Sequence, residues 1–217
     1  MASDILVVNN SRLLTTDDIR PAIAAINRQV STDFGPAWNV GGTLYFGEAP
    51  EGAWQFSLQD SIDDAGDLGY HTLSDGRVSA IIDVAICKQY GSDWRTCLGH
   101  EVLEALADPS CTRMGEGEFA SFICEVSDPT EEDSYAIDGI PVTNFVLPAY
   151  FGFNGNRFYD RMGVLSAPAP ALRPGGYQMR LINNAWTSTY GDRAEARPGY
   201  MATRENGRRA WRMREIG

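Results

Sequence analysis

The residues of this sequence that could do chemistry lie closest together in one short segment, residues 93–109. His100 and Glu104 are four positions apart in it, and Glu101 follows His100 directly. In a helix, positions i and i+4 lie on one face about 6 Å apart along the axis, so this imidazole and this carboxylate could chelate one ion. Glu101 would then lie where a general base could act on a metal-bound water. The spacing predicts a metal site, and a groove of structural salt bridges is the alternative.

The segment around these residues is predicted to be a buried helix. Asp93 can cap its first turn, and Pro109 ends it after residue 107 or 108. On a helical wheel the acidic residues and His100 occupy one narrow arc, and apolar side chains fill most of the remaining circle. A surface helix would instead have a broad polar arc and a narrow apolar stripe. Because ionised carboxylates are almost never buried without a partner, the polar groove must face a cation, an arginine or a solvent-filled cleft.

The elements that must position this helix are predicted mainly as short strands. Apolar runs with β-branched and aromatic residues predict the strands, and one further helix begins after the cap residue Thr15. The predicted strands cover residues 4–9, 41–46, 54–58, 78–86, 119–126 and 178–183, the further helix covers 19–30, and a hairpin turns at Asp138-Gly139. An aromatic segment, 145–153, is predicted to cover the core. The pattern indicates an α+β domain over residues 1–165.

The remaining residues, 166–217, are predicted to form a separate arm. Residues 166–176 are rich in Pro, Ala and Gly and are typical of a linker or an extended segment. Arginine and aromatic side chains follow with few periodic apolar positions, so this segment can hardly build a core of its own. Arginine together with tryptophan or tyrosine is typical of interface anchors. We therefore expect the arm to extend from the domain and to pack on a neighbouring subunit.

Composition excludes several classes of protein. The net charge is −11 and the pI is about 4.6, which argues against direct nucleic-acid binding. No apolar run approaches the length of a membrane span, and the N-terminus lacks the basic and apolar regions of a signal peptide. Residues 48–138 hold 20 acidic residues against 4 basic ones, which suits a cation site or a solvated acidic face. The four cysteines form no CxxC pair, so free buried thiols are expected and disulfides are the alternative.

Residues 98–109, LGHEVLEALADP, resemble the active-site helix of the zincin metallopeptidases. The wider order of motifs is similar to a group of zincin-like proteins encoded by bacteriophages and some actinobacteria. In this sequence the motifs are Gly69-Tyr70-His71, the His100 helix, Glu125-Val126-Ser127-Asp128-Pro129, Asp138-Gly139, Leu147-Pro148-Ala149-Tyr150-Phe151 and Pro174-Gly175-Gly176-Tyr177. The resemblance implies a zincin-like domain, in which a mixed twisted sheet carries an active-site-type helix, followed here by the extended C-terminal arm.

The resemblance also implies roles for individual residues. His100 matches the first metal ligand of the zincins. Glu101 matches their general base, which makes it the catalytic residue if the protein is an active peptidase. Glu104 departs from the pattern, because it replaces the second histidine of the family. A carboxylate can still bind the ion, so this departure affects the expectation of catalysis more than the expectation of the fold.

The third metal ligand is left open by the sequence. Its two histidines are His71 and His100, so no later histidine can complete the zincin set. Glu125, Asp128 and His71 remain as candidates. The spacing from Glu104 to Glu125 resembles that of zincins with a downstream glutamate ligand, and we expect the set His100, Glu104 and Glu125. An ion pair with arginine is the alternative for Glu125, and a hydrogen-bonded turn is the alternative for His71. Such ligands suit Ca²⁺ or Mn²⁺ as well as Zn²⁺, and we expect at most one divalent ion.

Two functions are consistent with this resemblance. The replaced histidine favours a structural protein of a phage particle, built on a degenerate zincin fold and made in the host cytoplasm without a signal peptide. Its partners would be other virion proteins or further copies of itself, reached through the C-terminal arm. The alternative is an active metal-dependent peptidase that cleaves prohead or cell-envelope peptides with Glu101 as its base. Neither function requires a membrane or direct contact with nucleic acid.

Overall fold

A computed structural model of the chain describes residues 2–61, 68–116, 121–155, 157–182, 185–190 and 193–196. In chain order its elements are β1 (Ala2–Asn9), α1 (Thr16–Gln29), α2 (Gly35–Trp38), β2 (Gly41–Phe46), β3 (Trp54–Gln59), β4 (Gly69–Ser74), β5 (Arg77–Asp83), α3 (Val84–Tyr90), α4 (Trp94–Ala107), β6 (Met114–Glu116), β7 (Ser121–Ile123), β8 (Ser134–Ile137), β9 (Ile140–Thr143), β10 (Tyr177–Ile182), β11 (Ala185–Tyr190) and β12 (Arg193–Ala196). A π-helical turn spans Val30–Phe34, and 3₁₀ turns span Asp128–Thr130 and Pro148–Phe151. This mixture confirms the predicted α+β class. No helix within these ranges is long and apolar enough to cross a membrane.

The first sheet has the strand order β2-β1-β3-β5-β4. Strands β1, β2, β3 and β5 run parallel, and β4 lies at the edge, antiparallel to β5. His71 of β4 pairs with Ala80 of β5, which pairs in turn with Phe56 of β3. Because directly paired residues share a face of the sheet, His71 points to the same face as these two buried side chains. Helix α4 packs on this face, since its Glu101 contacts His71.

Helix α1 forms as the sequence predicts. The Thr15 hydroxyl accepts a hydrogen bond from the backbone N–H of Asp18, and the Asp18 carboxylate accepts one from the backbone N–H of Thr15. This reciprocal cap satisfies two N–H groups that the first helical turn leaves without partners. The buried residues recur at helical spacing and are Ile19, Ala22, Ile23, Ala25, Ile26 and Gln29. The rest of α1 faces outward, as expected of a helix that lies on the surface of a core.

Helix α4 has a different pattern of burial. Its cap is Asp93, whose carboxylate accepts a hydrogen bond from the backbone N–H of Arg95. Every residue from Cys97 to Ala107 is buried. The prediction of a buried helix with a polar groove is therefore confirmed.

The prediction for the strand before α3 is wrong at its end. The apolar run over 78–86 predicts one continuous strand, but β5 ends at Asp83. The carboxylate of Asp83 accepts a hydrogen bond from the backbone N–H of Ile86 and so caps α3. The apolar residues after Asp83 belong to that helix. His71, for which a turn is the alternative, lies within strand β4.

A second sheet contains part of the segment that the sequence predicts to be an arm. Its strand order is β12-β11-β10-β7-β6, and every pairing is antiparallel. Strand β10 pairs with β7 through Arg180 and Phe122. Before β10, the backbone N–H of Ala169 donates to the Tyr150 carbonyl, and Arg173 forms an ion pair with Asp133. These contacts join residues 169–181 to the rest of the chain, whereas 183–184, 191–192 and 197–217 lie outside the described residues.

The hairpin and the aromatic segment that follows it in the chain match their predictions. Strands β8 and β9 are joined at Asp138 and Gly139, whose φ angles of 51° and 79° are those of a two-residue hairpin turn. The segment 145–153 contributes the buried side chains Phe145, Val146, Ala149, Tyr150 and Phe151 to the core. The four cysteines are free, buried thiols, and the sulfur atoms of Cys87 and Cys97 lie 3.2 Å apart.

Candidate metal centre

Two histidines and five carboxylates meet between α4, β4 and the chain that follows β7. Strand β4 contributes His71, helix α4 contributes His100, Glu101 and Glu104, and the chain after β7 contributes Glu125, Asp128 and Glu131. The exposed fractions are 0% for Glu101, 1% for Glu104, 2% for Asp128 and 6% for Glu125. Such burial is rare for carboxylates, so each of these groups needs a compensating interaction.

His100 has a carboxylate oxygen close to each of its ring nitrogens. Nε2 lies 2.6 Å from Glu104 Oε1 and 3.1 Å from Asp128 Oδ1, and Nδ1 lies 3.1 Å from Glu131 Oε2. The spacing of four residues on α4 brings His100 and Glu104 together, as the sequence predicts. An ion bound at Nε2 would leave the Nδ1–H group to donate to Glu131, which is how carboxylates commonly orient histidines that bind metals.

His71 approaches α4 from the edge strand of the sheet. Its Nδ1 lies 3.1 Å from Glu101 Oε2 and 4.0 Å from Glu104 Oε2. Gly69, two residues earlier on β4, makes room for this contact. A Cβ atom added at Gly69 would lie 3.4 Å from Glu101 Oε1 and 3.0 Å from the Ile81 carbonyl oxygen. A larger residue at this position would therefore crowd the Ile81 carbonyl of β5, whereas its Cβ would make only an ordinary contact with Glu101.

Glu104 lies between the two histidines. Its Oε1 faces His100 and accepts a hydrogen bond of 3.2 Å from the backbone N–H of Ser127, while its Oε2 faces His71. Two sets of potential ligands share this residue, His71 with Glu104 and Glu125, and His100 with Glu104 and Asp128. In each set the ligand atoms all lie within 4.8 Å of one another. Two ligands bound about 2.1 Å from a tetrahedral ion lie about 3.4 Å apart, so these spacings need only small adjustments to hold an ion.

The centre carries more negative than positive charge. Burial is the main cause that raises the pKa of the Tyr150 hydroxyl; the charge of Asp128 raises this pKa further, and that of Arg180 opposes the increase. Arg180 lies on β10 opposite Phe122 of β7, three residues before Glu125, and we count its charge with the centre. Even with Arg180 counted and both imidazoles protonated, the five carboxylates leave two negative charges in excess. Because an unbalanced buried ion costs several kcal/mol, a divalent cation fits both the charge and the donor atoms of this centre.

The predicted residues come together, but in two groups instead of one. His100 and Glu104 are adjacent, as expected. Glu125, which the zincin spacing favours as third ligand, groups with Glu104 and His71, whereas Asp128 groups with His100. All three candidates for the third ligand therefore belong to the centre. The role of Glu101 as a general base stays a prediction, and its carboxylate contacts His71.

Glu131 is the one residue of the centre that the sequence analysis does not find. Its side chain is 16% exposed, and it contacts Nδ1 of His100. The available signal is its spacing of three residues from Asp128 across the 3₁₀ turn Asp128–Thr130. Positions i and i+3 eclipse one another in a 3₁₀ turn, so both carboxylates face the same side.

A small cavity reaches the centre beside His100. Its lining includes Cys97, His100, Glu131 and Thr143, and its volume is about 30 Å³. This is room for about one water molecule. Small molecules of ordinary substrate size need several hundred cubic ångströms, so this cavity can admit water to His100 but not a peptide.

Comparisons with known proteins do not identify a family. No family model matches the chain, and neither the curated proteins nor the solved structures gave a match. The geometry of the centre is therefore the basis from which a function is inferred.

Proposed function

We propose that this protein binds divalent metal in the buried centre around Glu104, and that the metal supports the structure and does not act in catalysis. The observation that carries the proposal is the position of Glu104, a carboxylate 1% exposed with one oxygen facing each of the two buried imidazoles. Asp128, Glu125 and the backbone N–H of Ser127 complete the surroundings of this carboxylate. A cation at this point would connect α4 with β4 and with the chain after β7.

Two features support a structural role for the metal. The cavity beside His100 has space for about one water, whereas peptide cleavage requires an open cleft in which the scissile bond can reach the ion. Glu101, which would be the base of a zincin peptidase, is fully buried and contacts His71. Its carboxylate is thus already engaged in orienting an imidazole.

We also propose that the protein works as a structural component of a phage particle. This part of the proposal is based on the ordered set of zincin-like motifs in the sequence. The mixed sheet with a buried helix on one face agrees with the architecture that those motifs imply. The partners would be other virion proteins or further copies of the chain, and residues 166–217 would contribute to the contact.

Metal content tests the proposal directly. Elemental analysis of the purified protein should find divalent metal in the wild type and a clear loss in His100→Ala and in Glu104→Gln. Glu132→Gln is the matched control, because Glu132 is exposed beside Glu131 and lies outside the two ligand sets. Equal metal content in all four proteins, or none in the wild type after incubation with Zn²⁺, Mn²⁺ and Ca²⁺, would overturn the proposal.

The second candidate function is a metal-dependent peptidase. It is favoured by the presence of Glu101 directly after His100 and by the water-sized cavity that reaches His100. The test is cleavage of casein and of cell-wall peptides by the metal-loaded protein and by Glu101→Gln. We expect no cleavage by either protein. Cleavage by the wild type that disappears in Glu101→Gln would establish the peptidase and contradict the structural role.

A further inference from the structure

The metal centre is built from two halves that resemble one another. Each half has one imidazole, one carboxylate of its own and one oxygen of Glu104. His100 faces Oε1 of Glu104 in the set that also contains Asp128, and His71 faces Oε2 in the set that also contains Glu125. We infer that the centre holds two divalent ions, and that Glu104 bridges them. The inference is based on the proposed function, and it replaces the expectation of at most one ion.

Each imidazole also has a second carboxylate that can hold it in place. Glu131 lies 3.1 Å from Nδ1 of His100, and Glu101 lies 3.1 Å from Nδ1 of His71. A carboxylate that accepts a hydrogen bond from Nδ1–H fixes the tautomer and leaves Nε2 to bind a metal. In His100 this Nε2 is the atom that faces Glu104 and Asp128. In His71 the nitrogen that faces Glu104 is Nδ1, the same atom that contacts Glu101, so on this side Glu101 lies among the potential ligands of the second ion.

Charge balance also favours two ions over one. Imidazoles must be neutral to bind metal, so they contribute no charge when the centre is loaded. Five carboxylates and the nearby Arg180 then leave four negative charges, which two divalent ions neutralise. One ion would neutralise two of these charges and two ions would neutralise all four, which suits side chains that are almost completely buried.

The bridging position of Glu104 sets the separation of the two ions. Metal ions in two-metal sites of proteins lie about 3.5 to 4 Å apart. Two Mn²⁺ ions at such a separation are magnetically coupled, and their electron paramagnetic resonance spectrum differs from that of isolated Mn²⁺. Mn²⁺ is therefore the probe that reports both the number of ions and their distance.

The experiment combines the two readouts. The full-length protein is freed of metal, loaded with excess Mn²⁺ and freed of unbound ions, and then metal per chain is measured beside the Mn²⁺ spectrum. We expect two ions per chain with a coupled spectrum in the wild type and in Glu132→Gln. His71→Gln should keep one ion, His100→Gln should keep one ion, and both spectra should be uncoupled. Glu104→Gln should lose the coupled spectrum.

The possible results separate the two proposals. One ion per chain with an uncoupled spectrum in the wild type overturns the two-ion centre and leaves the proposed function standing. Two uncoupled ions overturn the bridge through Glu104. No bound Mn²⁺ in the wild type overturns the two-ion centre, and it overturns the proposed function as well when Zn²⁺ and Ca²⁺ also fail to bind. These decisions depend on the wild type alone, so they hold even if a variant fails to fold.

Discussion

Helices α1 and α4 are both fourteen residues long, but α1 exposes its charged side chains, whereas α4 buries His100, Glu101 and Glu104. In α1, six buried residues recur at helical spacing and the charged side chains lie outside. In α4, burial is continuous from Cys97 to Ala107 and includes His100, Glu101 and Glu104. The first helix is held by apolar contacts and by hydrogen bonds of two neutral side chains, Asn27 and Gln29. The second requires something that compensates its buried charges.

This difference indicates where in the molecule a bound ion would act. The free energy that holds α1 comes mainly from its buried apolar surface, its neutral hydrogen bonds and its cap, none of which requires an ion. The free energy that holds α4 depends on how well its carboxylates are compensated and, under the proposed function, on metal. Each of the following experiments changes either helix α1 or the surroundings of helix α4.

The largest effect is expected when the chain is cut after Leu165. The sequence predicts that residues 1–165 fold alone, but the contacts of the following segment favour the opposite result. Strand β10 pairs with β7, and Tyr150 donates a hydrogen bond to the Ala171 carbonyl. The cut removes these contacts, which lie near Asp128, and it therefore disturbs the surroundings of α4. We expect loss of cooperative unfolding in circular dichroism melts. A truncated protein that melts cooperatively at the wild-type temperature would establish the domain boundary at residue 165.

The next largest effect is expected from Ile26→Ala on α1. Ile26 is completely buried in the core, and an isoleucine-to-alanine change at such a site costs about 2 to 5 kcal/mol of unfolding free energy. Ile26 lies close to Gly99 of α4, but its side chain is apolar and holds no ion, so the loss measured by urea unfolding should be equal with and without a chelator. A loss that changes with metal would mean that the two helices are not independent.

Glu104→Gln should change stability in opposite directions in the two metal states. Without metal, the neutral amide weakens the contact with His100 but relieves repulsion among the buried carboxylates, which are in excess, and we expect the unfolding free energy to rise by about 1 kcal/mol. With metal, the same change removes a ligand and should lower the unfolding free energy. Exposed Glu132→Gln is the control and should change neither value. A change of the same sign in both states would contradict a role for Glu104 in metal binding.

The smallest effect is expected at the cap of α1. Thr15→Ala removes the N-cap hydroxyl and should cost about 1 kcal/mol at neutral pH, whether or not metal is present. The Thr15 hydroxyl is the main cause that lowers the pKa of Asp18 below its usual 3.8. A lowered pKa in the folded state stabilises the protein above pH 3.8, and this contribution disappears as the pH falls through the lowered value. The difference in unfolding free energy between wild type and variant should therefore shrink at low pH, where the bond from the Asp18 N–H to the Thr15 hydroxyl remains, and a constant difference would contradict the assigned cause.

Much of the fold and half of the centre could be predicted from the sequence. Thr15 and Asp93 locate the beginnings of α1 and α4, and the spacing of His100 and Glu104 fixes their contact because a helix has a regular period. The positions of His71 and Glu125 beside Glu104 could not be predicted from a helical period. They depend on which strand lies at the sheet edge and on where the chain runs after β7, which are contacts between residues distant in sequence. The helical start of α3 was missed because the apolar run continues past Asp83 without a change in character.

The dependence of thermal stability on metal tests the central claim most directly. An ion present at a hundred times its Kd adds about 2.7 kcal/mol to the unfolding free energy, which for a chain of this length is about 5 to 10 °C in Tm. We predict that a chelator lowers the Tm of the wild-type protein by this order, and that excess divalent metal restores it. A Tm that stays the same in chelator, in Zn²⁺, in Mn²⁺ and in Ca²⁺ would contradict the claim that metal compensates the buried charges of α4.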